Sequence, residues 1–163
     1  MAKTEKAIFT NMCMISDEEG NILVEERAKN DWRGIAFPGG HVEPGEAFGD
    51  SVVREVREET GIPLTDYRFA GKIRFEAPPW PSEIMYLYRA TVKERSPLPD
   101  CDEGVLAWVD KSEALSLPMW EGDRVFFSLM EERTEPFSLL LRYEGDTLVE
   151  SRLGGNELFF DEE

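Results

Sequence analysis

The sequence predicts a mixed-sheet domain of the α/β or α+β class. Three observations carry that assignment. Strand-like and helix-like segments alternate irregularly along the chain. No repeat, linker or low-complexity stretch divides it, so residues 1–163 read as one domain. At 163 residues and 41% apolar, the chain can bury an ordinary core without disulfides.

The elements follow in order. Lys6 to Ile15 reads as a strand, Asp17-Glu18-Glu19-Gly20 as the turn, and Asn21 to Arg27 as the strand's continuation or its hairpin partner. Ile35-Ala36-Phe37 is a short buried strand stopped by Pro38-Gly39-Gly40. Glu46 to Thr60 is the best helix, opened after Pro44-Gly45 and closed by Gly61. Phe69 to Ala77 and Glu83 to Lys93 are strands joined by a Pro78-to-Pro81 loop tip, and Val105 to Val109 is another strand. A second helix spans Met119 to Arg133, with Trp120, Asp123, Phe127 and Met130 at helical spacing. Phe137 to Tyr143 and Thr147 to Ser151 form a terminal hairpin around Glu144-Gly145-Asp146. The acidic end, Asn156 to Glu163, is expected to fray.

Charge narrows the possible functions. Eighteen Lys and Arg against 34 Asp and Glu give a net charge of -16. Such a surface repels a nucleic-acid polymer or an anionic membrane, both of which are held by excess Lys and Arg. A phosphate ligand then needs a metal ion to bridge it. Cys13 and Cys101 form no framework and no CxxC, so a reduced, cytoplasmic setting is expected. The start, MAKTEKAIF, has no signal-peptide character. His41 is the one histidine, which excludes HExxH zinc sites. Neither Cys13 nor His41 acquires a role from the sequence.

The first helix carries the chemistry. With Phe48 at zero and about 100° per residue, Val52 and Val56 make an apolar stripe. Glu55 and Glu59 fall on or beside the same arc and Glu58 next to them, with no lysine to relieve Glu55 and Glu59 one turn apart. A solvated acidic face accounts for Glu58 but not for Glu59 between Phe48 and Val52. Clustered carboxylates make sense around a hard divalent cation. Gly39 and Gly40 would let the backbone approach it, and Glu46 stands at the helix start, where negative charge is favoured.

The pattern G-x5-E-x7-R-E-U-x-E-E-x-G-U, with U aliphatic, is matched by Gly40, Glu46, Arg54, Glu55, Val56, Glu58, Glu59, Gly61 and Ile62. It resembles the signature box of the Nudix hydrolases, and far exceeds a short glycine motif in specificity. The resemblance implies a Nudix α/β/α sandwich around a mixed sheet. It also implies cleavage of a nucleoside diphosphate linked to another group, with Mg²⁺ as cofactor and Mn²⁺ able to substitute. Glu55, Glu58 and Glu59 match the metal-binding and base-forming carboxylates, and Gly39 the residue whose carbonyl joins them. Arg54 matches the arginine that pairs with a box glutamate, although a surface helix arginine is an equally good reading of that residue alone.

Outside the box, the NMCMI, DWRGIAFPGGHVE and LPMWEGD runs are similar to the MutT-like branch, which hydrolyses oxidised purine nucleoside triphosphates such as 8-oxo-dGTP. There a Trp-Pro-Asp-Asp sequence grips the base; here the run is Trp120-Glu121-Gly122-Asp123. Trp120 could stack on a purine and Asp123 bond its edge, while a core tryptophan is the competing reading of Trp120. Arg27 matches a phosphate-contacting position, or is a surface strand residue. Glu103 matches an acidic residue that supplements the metal site, or is one charge in the Asp100-to-Glu103 run. Asn11 has the amide to read a base edge, or is a satisfied polar residue of a strand. The expected partner is a small nucleotide; monomer and homodimer remain open. Two other functions compete. ADP-ribose or dinucleoside-polyphosphate hydrolysis has the spacing of Pro78 beyond the box in its favour. A catalytically silent nucleotide sensor is disfavoured by the complete set of box glutamates.

Overall fold

The computed structural model describes residues 7–29, 32–95, 97–99 and 104–159. The described strands are β1 (Ile8–Ser16), β2 (Asn21–Lys29), β3 (Trp32–Ala36), β4 (Gly39–His41), β5 (Tyr67–Glu76), β6 (Glu83–Thr91), β7 (Val105–Asp110), β8 (Phe137–Glu144) and β9 (Thr147–Gly154). The helices are α1 (Phe48–Thr60), α2 (Lys111–Ala114) and α3 (Glu121–Glu132). The strands join in one sheet ordered β3-β2-β1-β6-β5-β8-β9, with β4 added to β1 and β7 to β2. Pairs β1–β6 and β5–β8 are parallel and the others antiparallel, so the sheet is mixed as expected.

Alternation along the strands builds two cores. From β1, Cys13 and Ile15 face one side and pack with Leu23, Val52 and Val56 under α1. Met14 faces the other side, with Val24, Phe37, Phe126, Phe127 and Met130 under α3. The result is helix, sheet, helix. Val52 and Val56 are fully buried, each worth about 1.5–3 kcal/mol against exposure, so the stripe read from the wheel is what holds α1 in place.

The ends of α1 follow local chemistry. Its start is Phe48 rather than Glu46, because Gly45 (φ 79°) makes a turn in which the Glu46 N–H donates to the Glu43 carbonyl. It stops at Gly61, whose φ of 76° favours glycine and whose N–H donates to the Arg57 carbonyl.

Several expectations are corrected. The hairpin between β1 and β2 exists only at its root, Ser16 opposite Ile22. Beyond it β1 pairs instead with β4, and β2 with β3 and β7. The segment that reads as a stop, Gly39 to His41, is itself a strand; a Cβ at Gly39 would lie 2.1 Å from the Asn11 carbonyl oxygen, so only glycine allows the pairing. Helix α2 is too short for periodicity and is announced only by Asp110, whose side chain accepts the Ser112 N–H. Helix α3 begins after Trp120, which is its N-cap residue. Asn156–Phe159 does not fray but forms a 3-10 turn that buries Leu158, while residues 160–163 lie outside the described residues. Among the described residues no helix is long and apolar enough to cross a membrane.

Candidate active site

The box is assembled where β4 meets α1. Asn11, on the α1 face of β1, ties the two together: its Nδ2 donates to Ser51 Oγ on α1, and its Oδ1 accepts the Gly40 N–H at 3.2 Å. Asn11 is 3% exposed and both ends of its amide are engaged, so the structure puts it behind the box loop rather than at a base edge. The reason is strand parity. Asn11 shares its face with Cys13 and Ile15, opposite to Met14.

Arg54 organises the acidic residues. Its Nε and Nη2 donate to the two Glu46 oxygens at 2.8 and 3.0 Å, its Nη1 to Glu55 at 2.9 Å and Glu58 at 3.2 Å, and its Nη2 to the His41 carbonyl at 3.1 Å. This two-pronged grip is the geometry a guanidinium offers and an ammonium does not. Its hydrogen bonds, with that of the Glu43 N–H, pull the Glu46 carboxyl down to about 2. The same Glu46 contact, ahead of Glu55, raises the Arg54 guanidinium. The sequence reading sets Glu46 at the helix start, whereas in the structure it lies in the turn before Ala47, the N-cap of α1, and clamps Arg54 from there.

Glu59 and Glu55 face the glycines. Glu59 Oε2 accepts the Gly39 N–H at 3.1 Å. A Cβ at Gly40 would lie 2.3 Å from Glu55 Oε2, so glycine at 40 makes room for that carboxylate. Among the described residues no three acidic or thiol or imidazole side chains converge as metal ligands in this arrangement, because Arg54 holds Glu55 and Glu58 while Gly39 holds Glu59. The donor set is nevertheless the right one for a hard cation: three carboxylates on one helix arc beside a glycine-lined backbone. Glu103 lies outside the described residues.

The candidate base-binding residues occupy the opposite face, at the start of α3. Trp120 is 36% exposed and meets Tyr143 edge-to-face at 5.8 Å, so it is not a core tryptophan. Asp123 is buried; desolvation first, and the Glu83 charge second, push its carboxyl up to about 7 against the pull of Arg27. Glu83 Oε2 accepts from Thr10 Oγ1 at 2.9 Å. Gly122 replaces bulkier residues for a visible reason: its N–H donates to Tyr143 Oη at 2.7 Å, and a Cβ there would lie 2.4 Å from that oxygen. Arg27 lies in β2 with its Nη2 3.4 Å from Glu25, a fully buried carboxylate that the sequence alone does not single out. Glu83, Thr10 and Tyr143 were also not singled out, since only strand pairing brings them near Asp123.

Two clusters therefore stand on opposite faces, and consecutive residues of β1 connect them. Thr10 belongs to the Asp123 side and Asn11 to the box, while His41 and Gly40 of β4 are their register partners.

A family profile described as NUDIX domain matches residues 9–130. The chain belongs to the Nudix family. Among its Nudix relatives, an uncharacterised Nudix hydrolase, YvcI of Bacillus subtilis, is 31% identical over 115 residues, covering 68% of this chain and 71% of that protein. The oxidized purine nucleoside triphosphate hydrolase of Danio rerio is 30% identical over 125 residues, covering 75% and 76%. Among solved structures, the mutator MutT protein of Bacillus halodurans superposes with a TM-score of 0.80 at 27% identity, covering 90% of this chain and 97% of that one. Nudix hydrolases generally use divalent metals such as Mg²⁺.

Proposed function

We propose that this Nudix hydrolase is a Mg²⁺-dependent pyrophosphohydrolase of purine nucleoside triphosphates, with oxidised purines such as 8-oxo-dGTP as the preferred class. The observation that carries the reading is the complete set of box glutamates arranged beside Gly39 and Gly40. Arg54 holds Glu55 and Glu58, and the Gly39 N–H holds Glu59, while the start of α3 offers the exposed Trp120 and the buried Asp123. The Danio rerio relative and the Bacillus halodurans MutT fold support the same reading.

Glu55, Glu58 and Glu59, with the Gly39 carbonyl and Glu103, would hold the cation, which Mn²⁺ could replace. When bound, it neutralises phosphate charge and makes a water more acidic. A box carboxylate accepts that water's proton, and Arg54 fixes which oxygens face inward. Water adds to phosphorus as the phosphoanhydride bond breaks, giving nucleoside monophosphate and pyrophosphate. Arg27 would contact the phosphates. Trp120 would stack on the base, and Asp123, its carboxyl pushed up to about 7, could donate to a base acceptor in its protonated form and accept in its ionised form.

The spacing of Pro78 does not require an ADP-ribose substrate, since this residue lies in the exposed Pro78–Pro81 turn between β5 and β6. A panel of nucleotides incubated with Mg²⁺ and resolved by chromatography tests the proposal. Monophosphate and pyrophosphate from 8-oxo-dGTP are expected, at higher kcat/KM than from dGTP. AMP plus ribose phosphate from ADP-ribose as the preferred turnover would replace this reading, and turnover of nothing would make the protein a silent sensor.

A further inference from the structure

A cavity of about 540 Å³ opens at the far end of the sheet from the box, between the end of β1, the start of β5, the end of β6 and the last turn of α3. From Thr10 to Ser16 along β1 the separation is roughly 20 Å, at about 3.3 Å per residue. Its size is in the range of small-molecule sites.

Two arginines line it and face each other. Arg68 of β5 and Arg89 of β6 are direct cross-strand partners, a like-charge pairing that costs stability. Among the described residues neither has a carboxylate within ion-pair distance. The acidic groups nearby are engaged or peripheral: Glu131 pairs with Lys111 at 3.1 Å, Asp17 pairs with Arg95 at 2.8 Å, and Asp66 is exposed at the rim. Arg89 Nη2 donates to the Arg133 carbonyl at 3.0 Å at the end of α3, which fixes one side of its guanidinium. Partial burial, and then the Arg68 charge, lower the Arg89 pKa against the opposing pull of the Glu131 charge. In a chain with 34 acidic residues, a facing pair of arginines with no carboxylate at ion-pair distance among the described residues is the opposite of what composition favours, although Asp17, Asp66 and Glu131 also line the cavity.

We propose that this cavity is a second anion site, separate from the box, which takes the phosphate group of a small ligand between Arg68 and Arg89. A dianion there would remove the cross-strand repulsion and receive charge-assisted hydrogen bonds from two forks. Unlike the box, the site would need no metal to accept phosphate.

The test is binding in excess EDTA, where the box cannot hold phosphate through metal and no turnover occurs. Inorganic phosphate and AMP are titrated into the full chain by calorimetry, and melting is followed at the same millimolar concentrations. The parent should bind at least one of the two and melt higher with it; tighter binding of AMP would mean that the cavity also takes the nucleoside. Arg68 is exposed, so Arg68→Ser should fold. It should weaken binding about ten- to a hundredfold, as expected for losing a hydrogen bond to a charged group. Without anion it should melt no lower than the parent. Glu59→Gln should bind as the parent does, which separates this site from the box. Absence of binding by the parent, or an equal melting rise in parent and Arg68→Ser, would overturn the proposal, since general salt stabilisation acts on both alike.

Discussion

Arg54 joins four acceptors in the box, and the acidic residues around it differ in what their loss should do. Glu59 accepts the Gly39 N–H, a bond that a glutamine oxygen can keep. Glu59→Gln therefore retains the fold and removes one charge from the cation site. Steady-state kinetics should show kcat lower by about 10² to 10⁴ for every substrate alike, the range for a positioned catalytic group. Trp120 acts on a different quantity. Standing partly exposed at the N-cap of α3, it is not needed for the core, so Trp120→Ala should melt close to the parent. Its KM for the favoured purine should rise about 5- to 150-fold, the equivalent of 1–3 kcal/mol of stacking. Unchanged substrate ratios in that variant would move the base pocket elsewhere. Asp123 adds a pH signature. Its folded pKa of about 7 lies above the unfolded value near 3.9, so the fold favours the protonated form. The stability it contributes is complete below about pH 4 and is lost as pH rises towards 7. Asp123→Asn should flatten that part of the stability curve, measured by urea midpoints across pH. It should also abolish any rise in KM for the favoured purine above neutrality.

At the scale of elements, α1 is placed by its apolar stripe but registered by polar contacts that a sequence does not display. The stripe, the Gly61 stop and the glutamate arc were all legible, because they depend on spacing within a single helix. Neither β4 nor the loss of the long β1–β2 hairpin was legible, since three residues carry no period and the pairing partner of β1 is fixed by distant segments. Asn11 shows the same limit. Its residue type suggests hydrogen bonding, but its face follows from the pairing of β1 with β4 and β6. Trp120 and Asp123 look like one helical stripe on the wheel but differ in burial, 36% against 9% exposed, because Trp120 is the N-cap residue outside α3. Asn11→Ala tests the registering contact. It leaves Ser51 and the Gly40 N–H without their partner, at a cost of about 1–3 kcal/mol. Melting temperature and kcat should both fall, while the order of preferred substrates stays as in the parent, because the base side is untouched.

For the whole molecule, the proposed chemistry makes a metal necessary at the box, because the field there is acidic. With a net charge of -16, a polyphosphate at the box would be repelled until a cation sat between it and the glutamates. Excess EDTA should therefore abolish turnover, and Mg²⁺ added back should restore it; turnover persisting in EDTA would rule out the proposed chemistry. The box and the proposed base pocket, on opposite faces, are spaced by the single peptide unit that links Thr10 to Asn11. That unit lies in the middle of a sheet, paired with β4 on one side and β6 on the other. On the proposed reading it would be a fixed gauge: the offset between the two clusters is set by paired backbone rather than by a closing lid. A one-residue insertion between Thr10 and Asn11 would reverse the facing of one of them and break the gauge without touching a single charged group.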